Sequence, residues 1–557
     1  MPFRFHVSAR PRAVRLLAAG LLAATTFTPY RHVLAQAVTG AGADATPVPR
    51  GSVRIRLAGI WDQHDRVYAG DSSRPLLSTL ATGSLGVAAM PQLTAAQQGI
   101  RTLSGLTNFN LSLGPLEAFG NARQSVTPIA LDVGITSRLS IGIVVPYVET
   151  RNNAQLILNR DGTGATVGQN PAYSSTGGSA ARAANGAVLR QLLEAQTQLN
   201  SEITRCASVN ATNCDAIRAN PAGAQQALQQ ALETQNAIAT VYGDSVRGGA
   251  PLVPISSSST QTAINTRLGT LRTTLESFGI TSLTAGTLPA SATVINGPAA
   301  PPRIANDTAY GLNYNVLGGT RRAGIGDIDL SASFLWFNTL GTRPAQWLTG
   351  NTRGIRSMAT VGWRFGIASA DRTDDAFDVP IGDGANAILL RSTTDLVLSR
   401  KLWMSGTIRV VQPTADQVAM RRPLFDEALL FAPSVVGVAQ RTLGRRSEIE
   451  FAPRLVIGQF FGVSGGYVYR RIEEDSYAFA AQDTLPAATF RVPTRSTQAY
   501  LLGVTFSTMS SYIRGRSKWP VEVLYTHSEP VSGSGGVIPA VSSDRLELRV
   551  YTGFPRR

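Results

Sequence analysis

The residues of this chain that could carry out catalysis are few, and their spacing does not favour it. Residues Gly462 to Gly466 match the pattern Gly-x-Ser-x-Gly, in which Ser464 would be the nucleophile. That chemistry needs a strained strand-to-helix turn and a nearby base, but the pattern lies inside an alternating segment typical of a strand. His64 and His527 are the only histidines outside the N-terminal region, and neither has an acidic residue at a telling spacing. We therefore predict no enzyme activity, no cofactor and no metal, with a hydrolase as the distant alternative.

A second set of charged residues is more informative, because each lies on the polar face of a segment whose other face is apolar. The set is Arg54, Arg56, Asp132, Asp327, Asp329, Arg364, Asp395, Arg409, Glu450, Arg454, Arg470, Glu522, Glu547 and Arg549. An Arg facing lipid at the midplane of a membrane would cost about 2 to 4 kcal/mol, so these side chains should point into a lumen. Their mixed signs argue against a simple anion or cation pore. A lumen closed by salt bridges and a water-filled or gated path remain equal alternatives.

Composition sets the class of chain that carries these residues. The 557 residues are 43% hydrophobic and only 16% charged, which excludes a disordered chain. The 53 Gly and 30 Pro show no period, so the chain is not collagen-like, and two Cys cannot make a disulfide scaffold.

The N-terminus has the features of a secretory signal peptide. Residues 1–15 contain four Arg and no acid, and a short apolar run, Leu16 to Phe27, follows. We predict residues 1–35 as the signal, with cleavage after Ala35 or Ala37. Removing residues 1–35 lowers the net charge from +15 to +10, and an exported chain has no nucleic acid partner.

Segments with apolar residues at every second position recur along the chain and predict β-strands. Twelve are expected: 52–61, 122–135, 138–149, 324–337, 357–368, 387–398, 402–411, 447–457, 461–471, 497–508, 519–528 and 543–554. Aromatic residues lie near the strand ends, as in the girdle of a membrane barrel: Trp336, Trp363, Trp403, Tyr467, Tyr500, Trp519 and Tyr525. Together with the signal peptide, this predicts an all-β transmembrane antiparallel barrel.

The strand count rests on parity, because bacterial barrels have an even number of strands and short periplasmic turns. Placing the short turns 136–138, 399–401 and 458–460 on one side excludes 428–440 and 108–118 as spanning strands. Fourteen strands is the alternative if both span. With twelve strands, the connection 338–356 becomes an unusually long periplasmic turn.

An insertion at 150–323 has helical instead of strand periodicity. Apolar residues predict helices at about 185–205, 221–242 and 259–278, the last ending at Gly279 as a C-cap. By parity, the insertion is an extracellular cap. Cys206 and Cys214 are predicted to form a disulfide, with a metal pair as a lesser alternative. The Gly/Ala/Ser/Pro-rich flanks 150–185 and 289–310 are interpreted as hinges.

Three short runs carry a resemblance to a known family. They are Gly134 to Val148, Gly324-Ile-Gly-Asp-Ile-Asp329 and Val379-Pro-Ile-Gly-Asp-Gly384. They resemble the FadL-like outer-membrane transporters, and more closely the related barrels assigned to a phenol-degradation pathway, over about residues 122–554 without the insertion. The resemblance implies uptake of hydrophobic or aromatic small molecules through a barrel of twelve to fourteen strands.

The organisation expected is a signal at 1–35, first strands with a long outer loop at 36–149, the cap at 150–323 and the remaining strands at 324–557. The last strand, with Val550 and Phe554, resembles the C-terminal signal that the barrel assembly machinery reads. Expected partners are that machinery, outer-membrane lipid, lipopolysaccharide and a small apolar solute. We predict a passive outer-membrane channel, with a non-conducting barrel that anchors a surface recognition module as the alternative.

Overall fold

The computed structural model describes residues 44–69, 72–208, 214–341, 353–369, 371–399, 401–425, 430–482 and 485–554. The predicted signal peptide, most of the connection 338–356 and residues 428 and 429 lie outside the described residues. Within the described segments, none of the helices has the length and apolar character needed to cross a membrane.

Twelve antiparallel strands form a closed barrel in which each strand pairs with its neighbours in the chain. The first and last strands pair with each other and close the circle. The strands are β1 Val53–His64, β2 Leu116–Gly134, β3 Leu139–Leu158, β4 Ile328–Asn338, β5 Gly354–Phe365, β6 Ala387–Val397, β7 Leu402–Pro413, β8 Arg446–Ile457, β9 Phe461–Ile472, β10 Arg495–Ser507, β11 Val521–Ser534 and β12 Ser542–Thr552. The twelve-strand prediction is confirmed.

Alternation along each strand puts polar groups inside and apolar groups outside. On β7, Thr407 and Arg409 are buried at 2% and 8% exposure, whereas Ile408 between them is 52% exposed. Trp336, Tyr500 and similar aromatic residues also face outward. This is the reverse of a water-soluble barrel and matches a surface that meets lipid.

Trp403 departs from the predicted aromatic girdle. It lies on the inner face of β7, and the guanidinium of Arg356 sits 5.3 Å from the centre of its ring. The girdle prediction was wrong at this position, because Trp403 shares the inward register of Ser405 and Thr407.

A small four-stranded sheet stands beyond the barrel, at the end opposite the short turns. Its strands are Asp416–Pro423, Ser434–Thr442, Asp475–Phe479 and Ala488–Val492. The segment that includes Ser434–Thr442 was predicted not to span the membrane, and its place in this separate sheet confirms the prediction. Shorter strands lie at Arg66–Ala69, Ser72–Pro75, Val167–Gln169, Leu252–Pro254, Thr320–Ile325 and Val537–Pro539.

The cap contains α1 Thr94–Ser104, α2 Gly178–Ser208, α3 Asp215–Ala219, α4 Pro221–Val241, α5 Ser259–Ser277 and α6 Ala300–Asn306. A short helix, α7 Met509–Ile513, lies between β10 and β11. Side-chain caps begin two of the cap helices: Asn220 accepts from the Gly223 N–H, and Ser258 accepts from the Gln261 N–H. Gly279 follows α5 with a φ of +80°, the left-handed conformation expected of a C-cap.

The cap also draws on the loop between β1 and β2, which the sequence analysis did not foresee. Ile100 of α1 packs into the same hydrophobic core as Leu192, Ile238 and Leu268 of the inserted helices. The helices of the cap therefore come from two connections of the barrel, and Phe377 and Phe431 of two further connections pack into the same core.

The flanks interpreted as hinges belong largely to regular elements. Residues 150–158 continue β3, residues 178–185 begin α2, and residues 300–306 form α6. The hinge interpretation was wrong for these residues, because their backbones are held by strand pairing and helical hydrogen bonds.

Candidate functional site: the barrel lumen

The N-terminal segment 44–48 enters the lumen at the end with the short turns. The Asp44 carboxylate lies 3.6 Å from Arg454 and 3.7 Å from Arg549. The Ala45 N–H donates to the Asp395 carboxylate at 3.0 Å, and Ala45 and Val48 are buried. A sequence signal for this existed, since Asp44 is the only acid among the first 61 residues. The significance of Asp44 is visible only in the structure, where Arg454 and Arg549 of distant strands both lie near its carboxylate.

The same end is packed by residues near the C-terminus. The ring of Phe554 makes edge contacts with Tyr551 and Tyr512, at centroid distances of 5.4 and 6.2 Å. Met509 of α7 and Leu340 belong to the same buried cluster. Segment 44–48 and the side chains around Phe554 therefore both narrow this end of the lumen.

All fourteen inward residues named from the sequence are buried or half-buried. Several pair across neighbouring strands. Arg54 and Arg56 of β1 both donate to Asp132 of β2, at 3.0 and 2.9 Å. Arg364 of β5 makes two hydrogen bonds to Asp329 of β4, at 2.7 and 2.9 Å. These ion pairs therefore connect neighbouring strands of the lumen wall.

A second group of pairs lies on the later strands. Arg409 of β7 meets both Glu448 and Glu450 of β8. Arg549 donates to Glu547 of the same strand at 2.7 Å, and Glu522 lies 3.8 Å from Arg549.

Asp327 has a different setting, since it lies between Thr320–Ile325 and β4 instead of within a strand. Its carboxylate accepts backbone N–H groups from Ala368 and Asp383, at 3.0 and 2.9 Å. Asp327 therefore holds the connection between β5 and β6 against the mouth of the barrel.

Sequence reasoning missed several inward charges that the same alternation should have found. They are Arg356, Arg391, Arg446, Glu448 and Arg545. Arg391 is an example: it stands between the outward residues Leu390 and Ser392 inside a predicted strand. Alternation alone was sufficient for it.

A cavity of about 290 Å³ lies within the lumen, between the packed end and the cap. Its wall combines apolar side chains such as Ile60, Val126 and Leu389 with nine Arg, two Asp of β1 and β2, Asp329 and Glu448. Such a wall can accept a small solute with an apolar body and offer it charged hydrogen-bond donors.

The residues that could have signalled catalysis or metal binding are placed elsewhere. Residues Gly462 to Gly466 lie within β9, paired on both sides with β8 and β10, and form no strand-to-helix turn. His527, in the middle of β11, is 3.0 Å from Asp544 of β12. Cys206 and Cys214 are joined as a disulfide with their Cα atoms 5.3 Å apart.

A closed antiparallel barrel with an apolar outer face and a charged lumen defines the class, a transmembrane β-barrel of the bacterial outer-membrane type. No family model and no curated protein matches the chain. Solved structures do. An outer-membrane channel from Pseudomonas putida F1 has a TM-score of 0.39 at 9% identity, covering 92% of this chain and 98% of that one.

Two further neighbours are similar in extent. A Pseudomonas aeruginosa FadL homologue has a TM-score of 0.28 at 8% identity, covering 95% of this chain and 98% of the other. A toluene transporter from Ralstonia pickettii has a TM-score of 0.24 at 8% identity, covering 96% and 100%.

Proposed function

We propose that the protein is a passive outer-membrane channel for small solutes that have an apolar or aromatic body. The cavity inside the lumen is the observation that supports this proposal. A barrel that only anchors a surface module does not require an empty space enclosed by its strands. One structural neighbour is described as an outer-membrane channel and another as a toluene transporter, and both descriptions agree with the proposal.

The path through the lumen is closed at its inner end by segment 44–48. This segment is held by ion pairs longer than 3.5 Å and by one backbone hydrogen bond to Asp395. Ion pairs of this length lack a direct hydrogen bond and are weaker than the hydrogen-bonded pairs elsewhere in the lumen. Displacement of segment 44–48 is therefore the step that we assign to opening.

Conductance in planar bilayers tests the proposal, using the wild-type chain, Asp44→Ala and a variant lacking residues 44–48. We expect both variants to conduct more often than the wild type, because each weakens or removes the chain in the lumen. Glu117→Gln, which changes an exposed pair with Arg160, serves as the control and should behave like the wild type. If all four barrels are silent, and vesicles that contain them take up no small solutes, the non-conducting anchor replaces the channel.

A further inference from the structure

Arg391 is a lumen residue whose charge is not paired with an acid in the part of the chain that the structure describes. In the register of β6 and β7 it stands directly opposite Arg409, a second cation. Its Nη2 donates to the Thr360 hydroxyl at 3.2 Å, and its Nε is buried without a hydrogen-bond partner. Among the residues that the structure describes, none forms an ion pair with Arg391. Like charges opposite one another destabilise a strand pair, so this arrangement needs a compensating group.

The acids around the cavity are not sufficient to supply that compensation. Nine Arg but only four acids line it. Asp132 is shared by two arginines, Glu448 is shared by two, and Asp329 is engaged by Arg364. Asp62 lies six residues beyond Arg56 on β1, toward the cap, and next to Ser543 in the strand register. Arg446, Arg495 and Arg545 pair with Asp383, Asp475 and Glu547, which lie outside the lining. Among the described residues, the unpaired positive charge of the lining is therefore confined to Arg391 and the exposed Arg471.

Two deeply buried arginines add unused donors to the same wall. The Nη2 of Arg495 donates to the Asp475 carboxylate at 2.9 Å, but its Nη1 is buried without a hydrogen-bond partner among the described residues. Arg545 pairs with Glu547, and its Nη1 is also buried without one. Both side chains are only 8% exposed. Guanidinium donors in this state are most strongly satisfied by an anion, such as a carboxylate.

The remaining wall selects what the anion is attached to. Leu389 lies two positions from Arg391 on the same inward face of β6 and opposite Val411 of β7, one step nearer the cap. Val144 and Leu501 line the cavity as well. An apolar group would be covered by these side chains while its charged end reached the arginines.

We propose that the lumen cavity binds a small organic acid, with its carboxylate at Arg391 and its aromatic or aliphatic body against Leu389 and Val411. This inference rests on the proposed channel function for the route of entry, and it narrows the solute class from apolar molecules to amphipathic anions.

Calorimetric titration of the full chain in lipid nanodiscs tests this site. The probes are benzoate, its uncharged analogue benzamide, and sulfate as an anion without an apolar body. Benzoate should bind the wild type more tightly than either of the other two. Arg391→Gln should weaken benzoate binding about tenfold or more, and Arg391→Lys should recover part of it. Arg138→Gln, in an exposed turn far from the lumen, should leave it unchanged.

Equal benzoate affinity in the wild type and Arg391→Gln would overturn the site. Benzamide or sulfate binding as tightly as benzoate would overturn the assignment to an organic acid. Each variant is first checked for the compact band that folded barrels show before heating, and Arg391→Lys keeps the test valid if Arg391→Gln fails to fold. The two proposals fail separately: solute flux without benzoate binding removes this site alone, whereas benzoate binding without flux removes the channel alone.

Discussion

Arg356 and Asp395 are the most deeply buried ion pair among the described residues of the lumen. Their side chains are 2% and 0% exposed, and the pair closes at 2.7 Å. Asp395 also accepts the Ser405 hydroxyl at 2.8 Å and the Ala45 N–H. The Asp395 carboxylate thus joins β6 to both of its neighbours, β5 and β7, and to segment 44–48.

Removing that carboxylate charge should be costly. We expect Asp395→Asn to lower the free energy of unfolding by about 3 kcal/mol, because Arg356 would remain buried without a counter-charge. Urea unfolding in lipid vesicles, followed by tryptophan fluorescence, measures this. Glu117→Gln, at an exposed pair with Arg160, should change it by less than about 1 kcal/mol. Equal losses in the two variants would contradict the role given to burial.

Asp375, in the connection between β5 and β6, gives a pH dependence. Burial raises the pKa of its carboxyl to about 6. Since this pKa is above the ordinary value, ionisation of Asp375 opposes folding, and stability is lost as the pH rises through about 6. Asp375→Asn should therefore gain about 1 kcal/mol over the wild type at pH 8 and little at pH 4.

Urea unfolding of both proteins at pH 4, 6 and 8 measures the effect of Asp375. The Asn side chain can still accept the Phe377 N–H that Asp375 accepts at 3.0 Å, so the local turn is kept. A difference between the two proteins that does not vary with pH would contradict the assignment.

At the scale of elements, the strands were predictable and the packing of loops was not. Each barrel strand is specified locally, because lipid on one side and lumen on the other impose a period of two, as at Ile408 and Arg409. Turn parity then fixed the count. In contrast, segment 44–48 is too short to show a period. α1 has apolar residues at helical spacing, Ala96, Ile100 and Leu103, so its existence was predictable from the sequence. The positions of both depend on contacts with residues more than 100 positions away.

The period of two also explains why only part of the lumen site was predictable from the sequence. Alternation identifies which side chains point inward but does not identify partners, so the sharing of Asp132 by two arginines and the lack of an acid at Arg391 required the register. Alternation did name Asp327, but it did not predict that this residue lies between two strands and binds the backbone of the connection between β5 and β6.

The disulfide should matter to the cap and not to the barrel. Replacing Cys206 and Cys214 by Ser frees a short loop between α2 and α3, and the loop-entropy model gives about 2 kcal/mol of lost local stability. We expect faster protease cleavage between α2 and α4 in the double variant. In gel electrophoresis, the band of the folded barrel and its shift on heating should stay unchanged. Treating the wild type with reductant should reproduce the effect, and a double variant cleaved at the wild-type rate would contradict it.

For the whole molecule, the proposed orientation places the cap at the cell surface, facing lipopolysaccharide. Val246→Cys, at a cap position that is 78% exposed, should react with a membrane-impermeant maleimide on intact cells. Ser137→Cys, in the short turn between β2 and β3, should react only after the outer membrane is opened. The reverse pattern would invert the topology.

Assembly of the molecule can be tested at its last residues. Phe554→Ala should reduce the amount of folded barrel in the membrane, both because the assembly machinery is proposed to read this residue and because it packs on Tyr551 and Tyr512. Tyr512→Ala removes the packing contact but not the signal. A loss in Tyr512→Ala as large as in Phe554→Ala would assign the effect to packing alone.

The cap is tied to the barrel rim at four places: the end of β1, the start of β2, the end of β3 and the strand Thr320–Ile325. A body with one or two tethers can rotate as a unit, but four tethers spread around neighbouring strands remove that freedom. In the proposed channel, a solute must therefore pass this end of the barrel through small movements of side chains and loops beneath a stationary cap. The largest gap that such movements can open then sets an upper size limit on what enters, independently of the width of the barrel.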